Sequence, residues 1–328
     1  MTSEEGADRS LTAAGCVELA QLERSELIES RHLGAAVVVD ADGALVTALG
    51  DPAALVYPRS TLKPVQATAV LRAGLPLDGE ELVLASASHA GSPQHLAVVR
   101  RILASAGLDE TALQCPADWP LGREYRDELV RAGLGPSRLH MNCSGKHAAF
   151  LAVCAWRGWD VAGYLEGGHP LQQLVRETIQ DFTGEPVLHS GVDGCGAPVH
   201  AVSLVGLARA TGRVTGAAEG PQARVAAAIR RHPWGIDGHG RANTVVIQEL
   251  GLIAKLGAEG VMVMGAPDGR AVAVKVLDGS LRAATIVALE LLVRVGAVDR
   301  DRAAGVAAQT TERVLGGGHP VGRLSVAF

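Results

Sequence analysis

Two short β-hairpin patterns, separated by most of the chain, place the strongest limit on its fold. Strand-like runs at residues 35–40 and 44–49 enclose the turn sequence Asp-Ala-Asp-Gly, and runs at 261–265 and 271–276 enclose Ala-Pro-Asp-Gly. Turn sequences of this kind between β-rich runs are typical of hairpins. Because a single hairpin is only marginally stable in water, we expect the two hairpins to lie in one antiparallel sheet.

The chain between the hairpins has mainly helical patterns. Apolar runs that follow proline or end at glycine predict a series of helices, the first at 65–73 and the last at 242–256. A long apolar helix is expected at about 282–295 and a final strand at 322–328. Residues 17–30 fit either a helix or an edge strand.

These elements predict an α+β fold in which an antiparallel sheet lies beside a large helical region. We expect one domain, residues 1–328, with a sheet region at about 17–58 and 258–328 and a helical region at about 64–257. A polar element that leaves the first hairpin and enters the helical region would lie at their junction, where clefts form readily.

Composition narrows the function classes. The chain has 328 residues, a net charge of −5, no basic block and no apolar run of the ~20 residues that a membrane-spanning helix needs, so binding to nucleic acid or insertion into a membrane is not expected. Residues 1–8 are acidic and polar, unlike a secretory signal. The five dispersed cysteines indicate reduced thiols, and we expect a cytoplasmic protein.

The segment after the first hairpin contains the pattern Ser-x-x-Lys, formed by Ser60 and Lys63. Three residues are close to one helical turn, so both side chains project from the same face. A lysine with a lowered pKa could take the serine proton, as in one class of acyl-transfer enzymes. The pattern alone is weak evidence, because serine and lysine are common.

Two glycine-containing loops each place a cysteine before a predicted helix. Residues 142–147 (Asn-Cys-Ser-Gly-Lys-His) put Cys143 and Lys146 three positions apart, although the same residues fit an ordinary glycine turn capped by a serine. The second loop, residues 190–198, contains Asp193 and Cys195. Cys143 and Cys195 could meet as metal ligands, as a thiol pair, or not at all.

Two further polar elements are candidates for a site. Ser88 and His89 lie in a serine-rich loop, where they could bind substrate or relay protons, or simply precede the cap of the next helix. Lys275 interrupts the apolar run at 271–276. It could point outward as an edge-strand lysine, or into a cleft beside Ser60 and Lys63, where its charge would lower the pKa of a neighbouring lysine.

Taken in order, these motifs resemble those of the Rhizobium etli-type L-asparaginases, the asparaginase II family, over about residues 17–297. The resemblance depends on residues 29–32 (Glu-Ser-Arg-His), Gly50 and Asp51, Arg59 to Ala67, residues 87–89, 142–147 and 192–196, and Lys275.

The resemblance implies a fold similar to serine β-lactamases and penicillin-binding proteins, a homodimer, and hydrolysis of the side-chain amide of L-asparagine to aspartate and ammonia. It also implies site residues. Two catalytic Ser–Lys pairs are expected, Ser60 with Lys63 and Ser88 with Lys275, with Ser92 as the alternative to Ser88. The implied zinc site has the ligands Cys143, Lys146 and Cys195, and the implied substrate-binding residues are Arg59, His89, Asn142 and Asp193.

On this interpretation Ser60 attacks the amide carbon and a neutral Lys63 accepts its proton, while the zinc ion has a binding or structural role. Two other interpretations stay open. The chain could be a different serine acyl-transfer hydrolase with the same fold, since fold does not determine substrate. It could also be a non-catalytic module that binds a metal or an amino acid.

Overall fold

The computed structural model describes residues 9–328, so the N-terminal residues 1–8, including their predicted lack of a secretory signal, lie outside the described part. The twelve strands are β1 (Val17–Arg24), β2 (Leu27–Val39), β3 (Leu45–Leu49), β4 (Leu55–Val56), β5 (Ser190–Val192), β6 (Pro198–His200), β7 (Val202–Ser203), β8 (Ile253–Gly257), β9 (Val261–Gly265), β10 (Ala271–Val276), β11 (Val314–Gly316) and β12 (His319–Val326).

Eleven α-helices of the described residues surround the strands. They are α1 (Lys63–Arg72), α2 (Gly79–Ala85), α3 (Pro93–Ser105), α4 (Arg123–Arg131), α5 (Ser144–Arg157), α6 (Pro170–Thr183), α7 (Leu204–Thr215), α8 (Gly220–Arg231), α9 (Ala242–Leu250), α10 (Ala284–Arg294) and α11 (Arg300–Thr310). Pro64 is tolerated in α1 because it lies in the first turn, where the missing N–H has no helical partner.

The main sheet has eight antiparallel strands, in the order β11-β12-β1-β2-β10-β9-β8, with β3 also paired to β2. The two predicted hairpins, β2–β3 and β9–β10, are joined by the pairing of β2 with β10, in which Ala35 lies opposite Lys275. The expectation of one shared antiparallel sheet is confirmed, and with it the α+β fold.

The centre of the sheet is covered on both faces. Nearly every residue of β9 and β10 is buried, although successive side chains of a strand point to opposite faces. Helices α7 and α10 both pack on these strands, and apolar residues of the sheet and the helices form one continuous core. Such burial explains why β10 is an almost unbroken apolar run instead of an alternating one.

The structure resolves the ambiguous segment 17–30. It forms β1 and the start of β2, joined by a two-residue turn in which Ser25 and Glu26 both have positive φ, as type I′ turns require. The predicted final strand is β12, which pairs with β1. Within residues 9–328, no helix has the length and apolar character needed to cross a membrane.

The predicted helix at 242–256 is wrong in its second half. Helix α9 ends at Leu250 because Gly251 adopts a left-handed conformation (φ +71°), a common helix terminator. The chain then forms β8, which pairs with β9 at one end of the sheet order. The strand at 253–257 therefore lies next to the helical region and carries Lys255, a residue that the helical interpretation left unexamined.

Candidate functional site

Ser88 lies between two lysine amines. Its Oγ is 2.9 Å from Nζ of Lys63, at the start of α1, and 2.9 Å from Nζ of Lys255, on β8. The serine is half-buried, whereas the two lysines are 1% and 0% exposed. A hydroxyl held between two buried amines is suited to proton transfer, because burial favours the neutral form of a lysine that has no compensating acceptors.

The Lys63 amine makes three hydrogen bonds. Besides Ser88, it donates to the carbonyl of Ala87 (2.5 Å) and to Sγ of Cys143 (3.0 Å). Three acceptors match the three protons of an ammonium group, so this geometry suits a charged lysine. As a cation, Lys63 would stabilise negative charge on the Ser88 oxygen and would not serve as a base.

Lys255 has a different environment. Its amine has two hydrogen-bond partners, Oγ of Ser88 and the carbonyl of Leu256 at 2.8 Å. Burial, followed by the nearby positive charge of Lys63, lowers the pKa of Lys255 to about 7. A neutral amine has two protons and one lone pair, so Lys255 can donate to Leu256 and accept the proton of Ser88.

Lys275, the lysine expected to pair with Ser88, lies elsewhere. Its amine donates to the carbonyls of Glu259 (2.7 Å) and Val276, near the turn between β8 and β9. The register explains the difference: Lys255 lies opposite Val263, and Val263 lies opposite Ala273, so Lys275 is two strands across and two residues along on the same face, roughly 12 Å away. The Ser88–Lys275 pair is corrected to Ser88–Lys255.

The hydroxyls of the other two predicted serines, Ser92 and Ser60, make no hydrogen bond to a lysine. Ser92 caps α3 and its hydroxyl is 2.7 Å from Nδ1 of His95, so it is not the second serine of the cluster. Ser60 is half-buried in the turn before α1, where its carbonyl accepts the N–H of Lys63. Among the described residues no hydrogen bond to the Ser60 hydroxyl is found, so the predicted side-chain pair of Ser60 with Lys63 is not formed.

An ion pair joins the turn before α1 to the second cysteine loop. Nε of Arg59 is 2.6 Å from Oδ1 of Asp193, which also accepts the backbone N–H of Gly194 at 2.9 Å. Arg59 has a positive φ of 53°, a strained conformation for arginine that tends to occur at functional sites. The loop thereby fixes the residue directly before Ser60.

The two cysteine loops meet beneath the serines. Sγ of Cys143 accepts from Nζ of Lys63 at 3.0 Å, Nζ of Lys146 is 3.1 Å from Sγ of Cys195, and Oδ2 of Asp193 is 3.7 Å from the same sulfur. The two cysteines and Lys146 are at most 3% exposed, and all five cysteines of the chain are free thiols. The two cysteines therefore lie in one cluster, which fits both metal ligands and a thiol pair and removes the alternative in which they do not meet.

Charge is shared unevenly in this cluster. The neighbouring Cys143 thiol lowers the pKa of Cys195 far below the usual range, with further help from the Lys146 cation, whereas the nearby Cys195 and burial raise the pKa of Cys143. Burial by itself lowers the pKa of Lys146, but the two sulfurs outweigh it and the net shift is upward. These shifts favour an ammonium on Lys146 and a negative charge on the Cys195 sulfur.

Two predicted substrate contacts take different positions. The His89 ring is completely buried, and its Nε2 is 2.8 Å from Oγ of Ser144. The ring therefore stabilises the first cysteine loop and offers no surface to a substrate. Asn142 is half-buried: its side-chain oxygen accepts from the Cys143 thiol, and its carbonyl accepts the N–H of His89.

Lysine usage is the sequence signal that could have identified Lys255. Thirty residues are lysine or arginine, yet only four are lysines, namely Lys63, Lys146, Lys255 and Lys275. Arginine therefore supplies nearly all positive charge, and a lysine stands out where a titratable amine is useful, because arginine stays charged in proteins. Three of the four lysines lie in the site.

Comparisons with known proteins agree with this geometry at the level of family. The family model for L-asparaginase II matches residues 20–326, nearly the whole chain. The chain is thus a member of an asparaginase family. More particularly, it belongs to the L-asparaginase II family. A search of curated protein sequences found no match.

Solved structures with related chains are distant. They include a protein named Mglu in its Tris and glutamate form (13% identity, TM-score 0.38, 85% of this chain and 63% of that one), a β-lactamase from Mycobacterium bovis (18%, 0.35, 85% and 95%) and a Bacillus glutaminase (10%, 0.37, 80% and 91%). The chain spans less than two thirds of the length of Mglu. These scores are too low to support conclusions about activity, so the family assignment depends on the family model.

Proposed function

We propose that the protein hydrolyses the side-chain amide of L-asparagine to aspartate and ammonia, with Ser88 as nucleophile and Lys255 as its base. The observation that carries this proposal is the position of the Ser88 hydroxyl, 2.9 Å from a buried amine whose pKa is lowered to about 7 and 2.9 Å from a second amine with the geometry of a cation. No other serine at this site has such partners among the described residues.

In the first half of the reaction, Ser88 Oγ bonds to the amide carbon as its proton passes to neutral Lys255. The charge of Lys63 favours the oxygen nucleophile as it forms. Protonated Lys255 then gives its proton to the departing nitrogen, the carbon–nitrogen bond breaks, and ammonia leaves an aspartyl ester on Ser88. Water attacks this ester with Lys255 again as base, and aspartate is released as Ser88 recovers its proton.

Ser60 is the second candidate nucleophile. Its hydroxyl is half-buried, precedes α1 by one turn and belongs to the Ser-x-x-Lys pattern, and active-site hydrogen bonds often form only when substrate is bound. In this variant of the mechanism, Ser88 and Lys255 relay the proton. Arg59, Asp193 and Asn142, all half-buried near these serines, are the proposed contacts for the charged ends of the substrate.

Ammonia release from asparagine by the wild type, Ser88→Ala and Ser60→Ala tests the proposal. We expect turnover by the wild type, near-complete loss in Ser88→Ala and a smaller loss in Ser60→Ala. The reverse order would make Ser60 the nucleophile. Parallel assays with glutamine and a chromogenic β-lactam distinguish another serine acyl-transfer hydrolase, and a melting shift with asparagine but no ammonia would indicate a non-catalytic module.

We also propose that Cys143, Lys146 and Cys195 bind zinc. Two buried sulfurs and an amine that lie in one cluster, with Nζ of Lys146 3.1 Å from Sγ of Cys195, are a donor set that suits tetrahedral zinc. No group of three His, Cys, Asp or Glu residues within residues 9–328 could hold a metal, so Lys146 would have to be the third ligand and neutral. When bound, the ion would supply positive charge for holding the substrate.

Metal analysis tests the zinc site independently of activity. We expect about one zinc per chain in freshly purified protein and a lower melting temperature after chelation, and we expect both effects to be lost in Cys143→Ser and Cys195→Ser. Cys154→Ser is the matched control, because Cys154 is a buried free thiol on α5 outside the cluster. Metal-free protein that is indifferent to chelators would exclude the site.

A homodimer and a cytoplasmic location complete the proposal. The dimer follows from the family resemblance, and the five free thiols support a reducing compartment. Light scattering coupled to size-exclusion chromatography should give twice the 33.8 kDa mass of the chain, and a single-chain mass would contradict the dimer.

A further inference from the structure

One short segment contacts both members of the Ser88–Lys255 pair. The carbonyl of Ile236 accepts the backbone N–H of Ser88 at 3.0 Å. Seven residues later, Oδ1 of Asn243 accepts the backbone N–H of Leu256, the neighbour of Lys255, at 2.9 Å. The 236–243 segment therefore connects the loop of the serine to the strand of the lysine, although neither catalytic candidate belongs to it.

Asn243 is fixed at its other end. Its Nδ2 donates to Oδ2 of Asp237 at 3.0 Å, and Oδ1 of Asp237 accepts from Nε of Arg241 at 2.5 Å. Asn243 and Asp237 are 2% and 4% exposed. The partners determine the orientation of the amide, because its oxygen must face the Leu256 N–H and its nitrogen must face the carboxylate.

The backbone N–H and the carbonyl of Leu256 each bind one of the residues in question. Its N–H is bound by Asn243, and its carbonyl accepts the amine of Lys255. Strand β8 lies at one end of the sheet order, so the N–H of Leu256 would otherwise lack a strand partner. The contact that holds Leu256 also holds the acceptor that aims Lys255 at Ser88.

The segment is seated tightly on the serine loop. Gly238 has a φ of +134°, and a Cβ added there would lie 2.9 Å from Cβ of Ala90, two residues after Ser88. This conformation and this contact admit only glycine. The segment can therefore hold the distance between the serine loop and β8 within narrow limits.

We propose that Asn243 is a positioning residue for Lys255, which it holds on Ser88 through Leu256. The inference rests on the proposed function for its catalytic meaning, but the placement of the amine is measurable without substrate. The charged or titratable groups that act on Lys255 are Lys63 of α1, Asp237 and Arg241 of the 236–243 segment, and Cys143 before α5. Asn243 is the neutral residue that connects Asp237, and through it Arg241, to strand β8.

Two substitutions separate positioning from general stability. Asn243→Ala leaves the Leu256 N–H without its partner and should lower kcat by about 10- to 100-fold with little change in KM. Asn243→Asp keeps an acceptor for that N–H, but its carboxyl faces that of Asp237 and the two share a proton, so the charge near Lys255 changes little at about pH 7 and this variant should keep most of kcat. Asn243→Ala should also move the Lys255 titration midpoint, because the carbonyl of Leu256 no longer fixes the amine on Ser88. If Asn243→Ala does not fold, Asn243→Ser, whose hydroxyl is too short to reach the Leu256 N–H, carries the test.

Thr244→Val is the matched control. Thr244 is the next residue of α9, is completely buried and donates one side-chain hydrogen bond, to the carbonyl of Pro233, so its loss should cost stability without touching β8. We expect a lower melting temperature in this variant with an unchanged midpoint and an unchanged kcat.

The titration midpoint is read by NMR of protein with 13C-labelled lysine, in which the chain gives only four side-chain signals and Lys255→Met assigns the relevant one. A shifted Lys255 midpoint in Asn243→Ala, absent in Thr244→Val, supports the inference. An unmoved midpoint in Asn243→Ala overturns it, even if the melting temperature falls. Because NMR needs no substrate, a wild type without asparaginase activity would refute the proposed function and leave this test intact.

Discussion

Lys255 and Lys275 occupy the same face of the same sheet, yet their surroundings differ. Lys255 lies on β8, is completely buried, and directs its amine to a serine hydroxyl and one carbonyl. Lys275 lies on β10, is partly exposed, and directs its amine to two backbone carbonyls. Burial lowers the pKa of both, but only for Lys255 is the shift large enough to reach about 7.

The difference shows that the place of a strand in the sheet order, more than the apolar pattern around its lysine, determines whether that lysine can reach the site. Strand β8 borders the helical region, so a side chain there can reach the loop that carries Ser88. Strand β10 lies between β2 and β9, and its lysine reaches only the turn at the strand end. An apolar run interrupted by lysine therefore does not identify a catalytic amine without knowledge of its neighbours.

The largest expected effect is on turnover. Lys255→Met should reduce ammonia release from asparagine by about 10²- to 10⁴-fold, the usual contribution of a general base, whereas Lys275→Met should stay within about twofold of the wild type. Steady-state kinetics of the two variants check this. Equal losses would remove the distinction between the two lysines.

A smaller effect is expected on the pH dependence. Because Lys255 must be neutral to accept a proton, kcat should fall about tenfold per pH unit below its pKa of about 7 and level off above it. Lys275→Met should keep this limb unchanged. A profile that is flat from about pH 5 to 8 would show that no group of this pKa controls the reaction.

The smallest effect is on stability. Between pH 7 and the ordinary lysine value of 10.5 the unfolded chain binds a proton that folded Lys255 does not, so wild-type stability rises with pH in this window. Lys255→Met removes the cost of burying the amine and should raise the melting temperature more at about pH 6 than at about pH 9.5. Lys275→Met should show a weaker trend, and calorimetry at the two pH values would detect the opposite order.

The sequence predicted the sheet well because its signals are local. The two turns with Asp-Gly and the β-rich runs beside them determine β2–β3 and β9–β10, and the need to bury both hairpins predicts the pairing of β2 with β10. The start of β2 was ambiguous, because the type I′ turn at Ser25 and Glu26 lacks the glycine or asparagine that usually marks such turns.

The site could be predicted only in part. The residues of the two cysteine loops, Lys63 and Ser88 were all identified, but their pairing depends on tertiary contacts that spacing does not encode. Lys63 is three residues from Ser60 and still directs its amine to Ser88. Lys255 was missed because residues 242–256 have one apolar pattern, in which Gly251 was the signal of a break between helix and strand.

Titration of the four lysine side chains in 13C-labelled wild-type protein tests the central claim most directly. The account predicts that the Lys255 signal, assigned with Lys255→Met, has a midpoint near pH 7, and that the Lys275 signal titrates at a clearly higher pH. A Lys255 midpoint at the ordinary lysine value, or one no lower than that of Lys275, would contradict the assignment of Lys255 as the neutral base.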